Sequence, residues 1–154
     1  MLLDPVMARH RQVTRERLDR VLAALENRAW EKAAEAFGEF RHTIEDHMEA
    51  EEREMFPALD AELGAGSGTK ALRNEHSRFR QMCAYIAACI DLRDVQAAAF
   101  GLERFGEQFE AHDMREEWIL FPMCERLLSQ EQLQALRDAL EEAGEGREGE
   151  GAEP

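Results

Sequence analysis

The sequence predicts an all-α protein: an antiparallel up-down-up-down four-helix bundle with a short fifth helix at its C-terminal end. Glycine and proline are sparse, and the long stretches between them carry helix formers with apolar residues three and four apart. No sustained alternation of β-branched and aromatic residues with polar ones competes. Four such stretches with short connections favour a bundle, and Pro57, the glycine-rich 64–68 and Pro122 argue against one long coiled coil.

Each element has its own signals. Asp4 as N-cap and Pro5 at the first helical position start helix A, which Asn27 stops. Helix B begins near Trp30 and passes Glu51 to Pro57, whose missing N–H should bend or interrupt it before Leu63. After the loop at 64–68, helix C covers 69–90. Residues 91–94 supply a tight connection with a capping aspartate, and helix D covers 95–122. Ser129 and Gln132 fit a capping box for the last helix. From Gly144 the chain is a Gly/Glu tract that buries nothing, so the division expected is a bundle over 1–143 and a disordered acidic tail over 144–154.

A chain of 154 residues accommodates one ordinary domain. With 33 acidic and 19 basic residues its formal charge is −14, which a phosphate backbone or an anionic membrane surface would repel. Neither nucleic acid nor membrane is an expected partner. Cys83, Cys89 and Cys124 form no C-x-x-C pair and suggest neither a disulfide framework nor a zinc–thiolate site. No basic segment followed by an apolar run opens the sequence, and no stretch approaches the ~18 apolar residues of a span. A soluble, cytoplasmic protein is expected.

Four of the five histidines fall on the buried seams. Helix C steps through Leu72, His76, Phe79, Cys83, Ile86 and Ile90 in the rhythm of a buried face. Phe40, Ile44, His47 and Glu51 do the same in helix B, as do Phe105, Phe109, His112 and Glu116 in helix D, while Val6, His10 and Val13 begin the stripe of helix A. His42, ~140° around the helix from His47, faces away. Cys83, Trp30 and Trp118 read as packing residues.

Helices B and D repeat each other at an offset of 65 residues, sharing H-x-x-x-E-E-x-x-x-F-P from His47 and from His112. Residues four apart on a helix point the same way, so His47 with Glu51, and His112 with Glu116, each form a two-ligand pincer. Glu52 and Glu117, turned a further ~100°, reach solvent or the bundle edge. Counted from the turns, His10 is level with His47 and His76 with His112. Across helices B and C the levels close less well, a slack assigned to a bend at Pro57.

Two buried carboxylates beside four histidines would make a costly core unless a cation lay among them. Imidazole with carboxylate and no thiolate suits iron, manganese or zinc, and six ligands exceed what one ion needs, so two metals are expected.

The ordered set His10, His47 with Glu51, His76, and His112 with Glu116 resembles the hemerythrin-like, or HHE cation-binding, family over about residues 4–128. The resemblance implies a cofactor of two Fe ions, an oxo- or hydroxo-bridged di-iron centre held by those six residues, with an open position for O2, NO or peroxide. The oxygen-carrying members have a second histidine four residues after that of helix C and an aspartate five residues after that of helix D. Arg80 and Glu117 stand there in this chain. That departure implies a more open site, with Glu75 or Glu117 as a further oxygen ligand. It points to redox chemistry on small molecules, or to iron- or oxygen-responsive sensing, rather than oxygen carriage.

Overall fold

The structure is a computed structural model and describes residues 1–64 and 68–145. These residues form helices throughout, with no strand among them. α1 (Asp4–Glu26) leads to α2 (Trp30–Ala50), which continues through a π-helical turn at Glu51–Met55 into α3 (Phe56–Leu63). α4 (Thr69–Asp91) leads to α5 (Val95–Arg115), which continues through a second π turn at Glu116–Leu120 into α6 (Phe121–Leu127), and α7 (Gln130–Glu145) closes the described chain. α1 and α4 each pack on both α2 and α5, giving the four-helix square. α7 lies against α1, α2 and the first π turn. No described helix is long and apolar enough to cross a membrane.

The expected boundaries hold with local corrections. Asp4 is the first residue of α1 rather than its cap: Leu3 takes the cap position without a side-chain bond, and Asp4 instead accepts from the Met1 amine at 2.9 Å. Asp94 caps α5, accepting from the Ala97 N–H at 3.0 Å, and the Ser129–Gln132 capping box forms in both directions. α7 runs through Gly144 and Glu145, two residues beyond the expected bundle boundary, because Ala139, Leu140 and Ala143 keep its inner face buried. The rest of the expected tail, 146–154, lies outside the described residues. Trp118 is 70% exposed and is no packing residue: two positions beyond the inward-facing Glu116, it points outward.

The core falls into two apolar clusters. One is built around Phe37, Phe40, Ile44, Phe79, Phe105 and Phe109. The other gathers Met7, Met55, Phe56, Leu59 and Phe121 under the apolar face of α7. His47 sits between Ile44 of the first and Met55 of the second, so the polar residues of the seams form a layer with hydrocarbon on either side. The three cysteines are buried and unpaired.

The turns after α1 and α4 repeat each other at the same 65-residue offset. Arg28 and Arg93 adopt φ of 53° and 56°, the left-handed conformation that favours glycine. In each, two N–H groups fold back onto the helix end: Arg28 and Ala29 onto Leu25 and Ala24, and Arg93 and Asp94 onto Ile90 and Cys89. A Cβ in this conformation is strained, so Arg28→Gly and Arg93→Gly are each expected to raise stability, by about 0.5–1 kcal/mol. Urea denaturation of the two variants checks this.

Candidate metal centre

Glu51 and Glu116 each open a π turn. The Phe56 N–H donates to the Glu51 carbonyl and the Phe121 N–H to that of Glu116, five residues back rather than four. A proline follows at once in both cases. In an unbroken α-helix the ring of Pro57 would clash with the carbonyl of Arg53, and the wider turn relieves that clash. The helix is therefore interrupted upstream of Pro57, within the motif itself.

The six residues picked out by the seam pattern converge. His10, His47, Glu51, His76, His112 and Glu116 are each 2% exposed or less. The rings of His10 and His47 stack with centroids 3.7 Å apart. One oxygen of Glu51 touches His47 Nε2, and the other lies 3.1 Å from His76 Nε2 and 3.9 Å from His112 Nε2. His112 Nε2 is 2.7 Å from Glu116 Oε1. His76 thus faces Glu51, one turn along from His47. The interruption expected near Pro57 is the π turn at Glu51–Met55, which lies between His47 and the loop that leads to α4.

A seventh residue joins them. Asp113 is 2% exposed, and its Oδ2 lies 3.8 Å from His10 Nε2. Four sets of side chains each place their ligand atoms close enough to hold one ion: His10, His47 and Asp113; Glu51, His76 and His112; His47, Glu51 and Glu116; and His112, Asp113 and Glu116. Nε2 of all four histidines, both oxygens of Glu51 and of Glu116, and Asp113 Oδ1 are buried without a hydrogen-bond partner. Atoms this close without hydrogen-bond geometry are aimed at shared points in space, as ligands around a cation are. The donor set fits a metal on that ground.

Outside this layer, one carboxylate holds the α4 histidine from behind and another stands behind the α5 histidine. His76 Nδ1 donates to Glu52 at 2.8 Å, and Glu52 is gripped by both terminal nitrogens of Arg80 at 2.8 and 3.0 Å. His112 Nδ1 lies 3.3 Å from Glu75, which in turn pairs with Arg115. In His76 a proton held on Nδ1 leaves Nε2 free to bind a cation. Glu75 and Glu117, the further ligands expected from the sequence, are not in the converging layer. Glu75 stands behind His112, and Glu117 pairs with Arg11. His42 is at the surface, 3.5 Å from Asp46.

The electrostatics match the crowding. Burial lowers the His47 pKa, but Glu51 and the other carboxylates around it more than reverse this and bring it to about 9. His10 is held well below its ordinary value by burial and by the charge of His47. Burial raises Asp113 to about 8, with the charges of Glu116 and Glu51 adding to it. Glu116 is raised by burial and then by Glu51. His47 and Glu51 thus shift toward a charged pair, while Asp113 and Glu116 shift toward the neutral form.

Such a bundle, with a buried layer of imidazoles and carboxylates between two apolar clusters, belongs to the metal-binding class of helical bundles. Residues 2–124 match the hemerythrin HHE cation binding domain, and the chain is a member of that family. No curated protein and no solved structure was found to match the chain.

Sequence reasoning missed Asp113. The residue directly after His112 lies ~100° around the helix and falls off a stripe read in steps of three and four. Its signal was a carboxylate flanking an inward histidine. Because Glu52 holds His76 and Glu75 stands behind His112 without entering the layer, Glu52→Ala should lower cation affinity on the order of 10–100-fold and Glu75→Ala by less, both leaving the fold intact. Iron titration with circular dichroism on the same samples measures both effects.

Proposed function

We propose that this chain is a non-haem di-iron protein whose centre binds a small ligand such as O2, NO or peroxide. The observation that carries this is Glu51, whose two oxygens face histidines of two different helices, His47 of α2 and His76 of α4. That arrangement suits a carboxylate shared between two ions. On this reading His10, His47 and Asp113 would hold one iron, His76 and His112 would hold the other, and Glu51 and Glu116 would serve both. Imidazole and carboxylate donors together suit iron. When bound, the iron pair supplies the electrons and open coordination positions that small-molecule redox chemistry needs.

The chain's own groups do the rest. Arg80 with Glu52 fixes the orientation of His76, and Arg115 holds Glu75 behind His112. The stacked phenylalanines Phe105 and Phe109, with Phe79 against them, keep bulk water from the inner side. Arg80, in the position of a histidine in the oxygen carriers, is committed to Glu45 and Glu52 and gives no ligand. This supports redox chemistry or sensing over reversible oxygen carriage. Peroxide consumption by the iron-loaded protein separates turnover from sensing.

Metal analysis of the purified chain should find about two irons per chain. His47→Ala and His112→Ala should each lower iron occupancy strongly, and His42→Ala should leave it unchanged. One zinc per chain with a featureless visible spectrum would overturn the di-iron reading.

A further inference from the structure

Two kinds of carboxylate surround the buried imidazoles. Those that stand behind histidines carry arginine partners: Glu52 is held by Arg80, and Glu75 by Arg115. Those inside the layer, Glu51, Glu116 and Asp113, have only histidines within ion-pair distance among the described residues. Two arginines lie close to Asp113 along the chain or across the helix pair, and neither serves it. Arg11, next to His10, pairs with Glu117, and Arg115, two residues on in α5, pairs with Glu75. His10 Nε2 is 3.8 Å from Asp113 Oδ2, beyond hydrogen-bond reach, and Asp113 Oδ1 is buried without a partner. A structural aspartate this deeply buried would carry hydrogen bonds or a counter-charge.

The groups of atoms close enough to hold one ion show what Asp113 faces instead. It belongs to one group with His10 and His47 and to another with His112 and Glu116. Glu51 and Glu116 are divided in the same way, each joining one group that contains His47 of α2 and one that contains His112 of α5. All three carboxylates therefore reach both sides of the layer. A cleft between α1 and α5 has Asp113 among its lining residues, which gives the layer an approach from solvent on this side. Charge gives the third carboxylate a consequence. Ionised, the three leave two divalent ions with one positive charge in excess, and two trivalent ions with three. Attraction grows with the product of the charges, and burial leaves little solvent to screen it. Each added carboxylate thus stabilises trivalent ions more than divalent ones. We infer that Asp113 is a third carboxylate shared by both cation positions, and that it weights the centre toward trivalent ions.

This inference rests on the two-cation centre proposed above and does not require that iron fill it. The full chain, freed of metal by chelation, is titrated with Zn(II) and, in competition with citrate, with Ga(III), a trivalent ion that keeps its oxidation state. The parent should take up two of either ion. Asp113→Asn, which keeps the side-chain shape, should lower both stepwise Zn(II) affinities at least tenfold and both Ga(III) affinities at least a hundredfold. Asp113→Ala repeats the measurement without an amide oxygen and should show the same losses. Glu110→Gln, which removes an equal charge from an exposed position on α5, should change neither ion by more than twofold. Metal-free Asp113→Asn should melt no lower than the metal-free parent, since no hydrogen bond is lost. Weakening of only one Zn(II) step, unaltered affinity in both Asp113 variants, Ga(III) losing no more than Zn(II), or a lower melting temperature of metal-free Asp113→Asn would each overturn the inference while leaving a two-cation centre in place. A parent that binds only one ion would remove the two-cation reading and this inference with it.

Discussion

The cost of burying charge governs this structure. Glu51 and Glu116 are fully buried, Asp113 nearly so, and four imidazoles surround them. Removing a carboxylate from water costs several kcal/mol unless an opposite charge compensates. Hydrogen bonds within the layer do not meet that need, since the oxygens of both glutamates lack such partners. A cation does, and the remaining features follow from presenting donors to it. The two π turns begin at the two glutamates, α4 sets His76 across from Glu51, and the outer carboxylates fix the imidazole of the α4 histidine and back that of α5.

The apolar clusters serve the same end from outside. Phenylalanines on one side and the α7-covered cluster on the other lower the dielectric around the layer, which strengthens every ionic interaction within it. α7 is therefore part of the centre's insulation and not an appendage, packing against α2 and the first π turn. The α1–α5 side is where this insulation is thinnest. There a glycine at 106 and the partly exposed Leu18 leave the cleft that leads toward Asp113.

Much of this was legible in the sequence because its dominant signals are periodic. The stripes through His47, His76 and His112 obey the helical repeat, and that repeat alone brought six of the seven converging residues together. Non-periodic features escaped it. Asp113 lies off the stripe. Glu52, placed at the bundle edge, does sit there, but its bond to His76 depends on which residue of α4 it faces, and register between helices is not written in either helix alone. The π turns were half visible: Pro57 and Pro122 announced an interruption, but the extra residue per turn falls before each proline.

The central claim is that a bound cation makes this polar layer tolerable, and comparing thermal unfolding of the purified chain before and after removal of its metal tests it most directly. The account predicts that the metal-free chain melts lower by about 10 °C or more, corresponding to several kcal/mol for a domain of this size, and that restoring the metal recovers the loss. A metal-free chain that melts at the same temperature, with unchanged near-ultraviolet circular dichroism, would contradict it.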